Sequence, residues 1–81
     1  KPVVVDAVLY KGELPLEPEF EPLRYKYENG FLWIYNRLED CFVKCPQGHW
    51  IVKGIKNEFY PVEHEVFVAT YEPVPEPEEI L

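Results

Sequence analysis

The chain has 81 residues, with 15 Asp and Glu against 8 Lys and Arg, and a net charge of −7. This length gives one small domain with a thin margin of stability. The acidic balance and the lack of any basic run argue against binding to a phosphate backbone, and no apolar run approaches the ~20 residues that cross a bilayer.

The opening "KPVVVDAVLY" is β-branched and reads as a strand. Val3, Val5, Ala7 and Leu9 fall on one face, and Val4, Asp6, Val8 and Tyr10 on the other. Apolar residues on both faces predict a strand well inside its sheet. Residues 11–22 hold Pro15, Pro18, Pro22 and four Glu, and read as an extended surface loop tacked down by Leu14, Leu16 and Phe20.

"RYKYENGFLWIYNR" alternates aromatic and basic residues up to Asn29-Gly30, then continues as "FLWIY", the pattern of a tight β-hairpin. "LEDCFVKC" is a third strand candidate after a turn near Asn36 to Asp40, and "PQGH" is a further turn. "WIVKGI" and "EFYPV" read as two strands joined by a Lys56-Asn57 turn, with Pro61 marking an edge or an end. Trp50, Val52, Phe59 and Phe67 are core candidates. "EHEVFVATY" mixes strand-forming residues with helical spacing and predicts a short helical turn near 63–69. The fold class is therefore mainly β (α+β at most): a compact antiparallel sheet or small barrel of five to six short strands. One β-rich domain spans 1–72, and residues 73–81 form an acidic, Pro-rich tail.

Cys41, Cys45, His49 and His64 are the donor types of a zinc site, but their spacing is not that of a zinc finger. On one strand the two sulfurs start about 13 Å apart, too far to chelate one ion or to form a disulfide. The plainer expectation is that Cys41 packs as a small apolar residue while Cys45 sits at a turn. No metal and no cofactor is assigned. A Cys–His nucleophile pair needs a third orienting group and a formed pocket. The carboxylate pairs Glu39–Asp40 and Glu63–Glu65 sit beside turns, where solvated surface groups are expected. The chain holds no Ser and four scattered Gly, so it offers neither a serine nucleophile nor a phosphate-cradling loop. No enzyme is expected.

Tyr25, Tyr27, Trp33 and Tyr35 are candidates for a stacking platform or, where exposed, for a protein contact. Pro73, Pro75 and Pro77 give the tail a second docking device, because an extended segment loses little entropy when it binds.

The segments "KPVVVDA" and "WIVKGIKNEFYPVEHEVFVATYE" resemble a family of small proteins encoded by tailed phages and prophages. Members open on a Lys-Pro-Val-rich strand. They close on Trp-Ile-(Ile or Val)-Lys-Gly, then Lys-Gly-Glu-Phe-Tyr-Pro and Phe-x-x-Thr-Tyr-Glu. The matching positions are Lys1 to Ala7, Trp50 to Gly54, Lys56, Glu58 to Pro61, Phe67 and Thr70 to Glu72, about a quarter of the chain. Asn57 stands where the family has Gly, and His49 and His64 fall outside its pattern. The resemblance implies a viral origin and a small folded domain, and no particular activity.

The expected function is thus a non-enzymatic phage protein acting through protein contacts. It would be a virion accessory or decoration component, or a small factor that binds a host protein. Its partners would be virion subunits or a host protein, with no nucleic acid directly and no membrane. Its location would be the virion or the host cytoplasm, where two Cys without a signal peptide stay reduced. Edge strands make a homo-oligomer plausible. The alternative is a ligand-binding module, such as a sponge for a host signalling nucleotide. That role requires Arg24, Lys26, Arg37, Lys44, Lys53 or Lys56, scattered in sequence, to converge on a pocket.

Overall fold

The computed structural model of the protein describes residues 4–14, 20 and 23–73. Six strands and a helix follow in order: β1 (Asp6–Leu9), β2 (Tyr25–Glu28), β3 (Phe31–Asn36), β4 (Cys41–Cys45), β5 (Trp50–Lys53), β6 (Phe59–Val62) and α1 (His64–Thr70). They form two antiparallel three-stranded sheets, sheet A ordered β1-β5-β6 and sheet B ordered β2-β3-β4. The mainly β architecture read from the alternation is what is observed, and the short helix starts one residue later than expected.

The core lies between the sheets. Sheet A contributes Tyr10, just past β1, with Ile51 and Phe59, and sheet B contributes Leu32, Ile34 and Cys45. Leu32, Ile34, Cys45 and Ile51 are sealed almost completely from solvent. Burying an aliphatic side chain of this kind stabilises the fold by about 1.5–3 kcal/mol. Phe20 joins from the Pro-rich loop, its ring 5.9 Å from that of Phe59, and Leu14 packs beside the cluster. Phe20 and Leu14 thus pack on the body as expected, and Leu16 lies outside the described residues.

β1 departs from the expectation. Among the described residues it pairs only with β5 and is an edge strand, beginning at Asp6. Its two-sided apolar character has another cause: Val8 packs on the core between the sheets, while Ala7 and Leu9 share the opposite face of sheet A with Trp50 and Val52. That opposite face carries α1, whose Phe67 ring stacks on the Trp50 indole at 4.1 Å. Trp50 and Phe67 are therefore half-buried partners outside the main core, whereas Phe59 is inside it.

The turns follow local chemistry. Asn29 and Gly30 both have positive φ and join β2 to β3 as a two-residue hairpin. Between β3 and β4, the buried Asn36 side chain accepts backbone N–H bonds from Leu38 at 2.9 Å and Glu39 at 3.0 Å, and Asp40 takes the left-handed position. The β5–β6 turn is longer than Lys56-Asn57 alone, because the strand stops at Lys53. Gly54 donates to the Glu58 carbonyl at 2.8 Å and accepts from Asn57 N–H at 3.1 Å. The Glu58 carboxylate folds back over Gly54 to accept from Lys56 N–H at 3.0 Å, where a Cβ would collide with it. Pro61 sits on β6, an edge strand as anticipated.

Candidate functional site

The hairpin register sorts the aromatic residues. Pairing Glu28 with Phe31 places odd positions of β2 on the same face as even positions of β3. Tyr25 and Tyr27 therefore share the inward face with Leu32 and Ile34, while Trp33 and Tyr35 point outward. The four do not form one platform. Tyr25 and Tyr27 stay largely exposed, with Tyr27 58 % accessible, because β6 packs against β3 and β4 and leaves β2 overhanging. Their rings meet edge to face at 5.9 Å. Tyr27 also helps raise the pKa of Tyr10 above its ordinary value, after the larger effect of burial.

The outward face of sheet B is a grid of aromatic rings and cations. Lys26 and Lys44 lie on either side of Trp33 in the cross-strand register. Lys26 Nζ is 5.8 Å from the Trp33 ring centre and 4.8 Å from that of Phe42, and Lys44 Nζ stands 3.7 Å above Phe31. In the next row Tyr35 meets Phe42 edge to face at 5.4 Å, and the Arg24 guanidinium covers the Tyr35 ring at 4.3 Å. Trp33 is fixed by its Nε1–H, which donates to the Glu28 carbonyl at 3.1 Å, and Tyr35 by its hydroxyl on Asp40. The Asp40 bond is the main reason the Tyr35 hydroxyl titrates above its usual value. Trp33, Tyr35 and Phe42 are only half-buried, and Phe31 is 39 % exposed. No second layer covers this face among the described residues.

Sequence reasoning named Trp33 and Tyr35 but missed Phe31, Phe42, Arg24, Lys26 and Lys44 as members of the same surface. The signal was present: the two-residue Asn-Gly turn sets the register, and the register sets the face.

A second feature lies where the β3–β4 turn meets the β5–β6 turn. Arg24, Tyr35 and Arg37 from sheet B, with Lys53, Asn57 and Phe59 from sheet A, line a cleft of about 630 Å³. Arg37 Nη2 donates to the Lys56 carbonyl and ties the two turns together. Three of the six scattered cations thus converge. A larger groove of about 820 Å³ lies on the far face of sheet A, between Val4–Ala7 and α1, and has no cation in its lining among the described residues.

The four metal-ligand candidates are separated. Cys41 and Cys45 occupy opposite ends of β4, both as free thiols. Their roles reverse the expectation: Cys45 is fully buried in the core and Cys41 is exposed. Burial pushes the Cys45 thiol up to about 11. His49 follows the Gly48 turn, and its carbonyl accepts from Tyr10 N–H at 2.9 Å. His64 opens α1, its ring stacked at 6.3 Å on Trp50, and its Nδ1 accepts from Trp50 Nε1–H at 3.1 Å. Among the described residues no three His, Cys, Asp or Glu side chains come together as a metal cluster. Pro73 is exposed at the end of the described chain, and Pro75 and Pro77 lie outside it. Among the described residues no helix is long and apolar enough to cross a membrane.

Comparison of the chain with family models, with curated proteins and with solved structures finds no match.

Proposed function

We propose that this chain is a non-enzymatic protein acting through contacts with another protein, and that the outward face of sheet B is its contact surface. The observation that carries this reading is the set Trp33, Tyr35, Phe31 and Phe42, left partly open to solvent and interleaved with Arg24, Lys26 and Lys44. Trp, Tyr and Arg are the residues that dominate binding hot spots, and Trp and Tyr bring large area at a small loss of rotamer freedom. The rings are held by hydrogen bonds and cation–π contacts before any partner arrives, which lowers the entropy of association. Lys26 is paired with Glu28 on the same face, and Arg24 and Lys44 favour a partner that sets carboxylates around an apolar centre.

The resemblance to tailed-phage proteins gives the setting: a virion accessory or decoration component, or a small factor that binds a host protein. Mass spectrometry of purified particles separates the two. Presence at a fixed copy number supports a virion role, and absence from particles with abundance in infected cells supports the host-directed factor.

A further inference from the structure

We infer that the cleft between the β3–β4 and β5–β6 turns binds a phosphorylated small molecule of nucleotide size. This goes beyond the protein-contact reading: Arg24 and Tyr35 belong to both surfaces, while Arg37 and Lys53, the residues varied below, lie off the outward face of sheet B. In a chain of net charge −7, three cations line one cleft, and no carboxylate lines it among the described residues. They come from three separate elements: the approach to β2, the turn after β3 and the end of β5. Among the described residues the single ion pair joins Lys26 to Glu28, so Arg24, Arg37 and Lys53 meet no carboxylate partner there.

The cations are also positioned. The Arg24 guanidinium lies over the Tyr35 ring at 4.3 Å, a cation–π contact that holds it at the cleft. Arg37 is anchored by the Lys56 carbonyl. Lys53 is half-buried on a strand, so its ammonium approaches from a rigid base. Asn57, held at φ 60 in the turn, adds an amide that donates and accepts. An arginine fork with a lysine point charge is the donor set suited to a phosphate dianion. The volume of about 630 Å³ is far more than bare phosphate fills, and it falls within the range of small-molecule sites. Two carboxylates stand close, Asp40 on the Tyr35 hydroxyl and Asp6 opposite Lys53 in the register, against three cations in the cleft, and carboxylates more than about 8 Å away are largely screened at physiological salt.

The test is an amide and side-chain NMR titration of the full chain with adenosine 5′-monophosphate and, separately, with inorganic phosphate. The expected result is saturable movement of the Arg24 and Arg37 Nε–H and Asn57 side-chain signals, with the nucleotide binding at least about tenfold more tightly than phosphate. Arg37→Gln and Lys53→Gln should each weaken nucleotide binding by about tenfold or more, Lys53→Arg should restore it, and Lys11→Gln, a cation removed elsewhere, should leave it unchanged. Unmoved resonances outside the cleft report that each variant remains folded. Three results would overturn the inference: no saturable shift with either probe, shifts that survive both Gln variants, or equal binding of phosphate and nucleotide, which marks an adventitious ion only.

Discussion

Cys41 and Cys45 are four residues apart on β4, yet one is exposed and the other is sealed in the core. Only a thiolate is nucleophilic, so burial protects Cys45 both by blocking access and by holding its proton. Iodoacetamide at neutral pH should modify Cys41 alone in the native protein. Cys41→Ser should abolish that reaction, and Cys45 should become reactive only on unfolding, as read by intact-mass spectrometry. The raised Cys45 pKa also has a stability consequence. The unfolded thiol ionises near its ordinary value of 9.0, while the folded one holds its proton to about 11. Cys45 therefore contributes stability that is fully present below pH 9 and is lost as pH rises toward 11, by up to about 2 kcal/mol. Tyr10 and Tyr60, also raised by burial, add to the loss at the upper end. Thermal melts from pH 8 to 11 should show this decline, and it should be shallower between pH 9 and 10 in Cys45→Ala. The sequence did not reveal which cysteine was buried. Both face the same way along the strand, and only the position of sheet A over β4 separates them.

At the scale of elements, α1 is the least secured part of the fold. Seven residues are too few for a helix to persist alone, it has no side-chain N-cap, and none of its residues is fully buried. It is held by the stack of Phe67 on Trp50, by the Trp50–His64 hydrogen bond, and by Tyr60 and Tyr71, whose hydroxyls lie 3.3 Å apart. Phe67→Ala should undock it at a cost of about 1–3 kcal/mol, shifting Trp50 fluorescence to the red and removing amide-exchange protection from residues 64–70 while the sheets keep theirs. A second prediction concerns the β5–β6 turn. Gly54→Ala should push the Glu58 carboxylate off its Lys56 N–H bond and cost about 1 kcal/mol in a denaturant melt, and the same substitution in a Glu58→Ala background should cost less. The turns themselves were legible, since Asn29-Gly30, Asn57 and Pro61 each announce a backbone constraint. The short helix was legible as a compromise between propensity and spacing. The edge position of β1 was not, because an apolar face under a helix reads the same as one under a strand.

For the whole molecule, the alternating pattern was enough to read a small antiparallel β protein, and the pairing of sheets was not, since it depends on which hairpin covers which. The same limit governed the functional surface. Trp33 and Tyr35 stood out by type, but their grouping with Phe42, Lys26 and Lys44 depends on register across three strands. Among the described residues the arrangement leaves the far face of sheet A protected by α1 and the outward face of sheet B open. An open face of rings and cations at the centre of the account should be dispensable for folding and essential for binding. Trp33→Ala should therefore cost only about 1 kcal/mol of stability while abolishing partner capture.

The most direct measurement places a photo-crosslinking amino acid at position 33, at position 42, or at position 65 on α1, in the cells or particles that make the chain. One protein should be cross-linked from 33 and 42, absent from 65, and lost when Lys26→Glu and Lys44→Glu reverse the charge of the face. Self-association would appear as a cross-linked dimer of the chain and would replace the foreign partner. Capture of the partner from 65 alone, equal capture from all three positions, or capture that survives the charge reversal would contradict this contact surface.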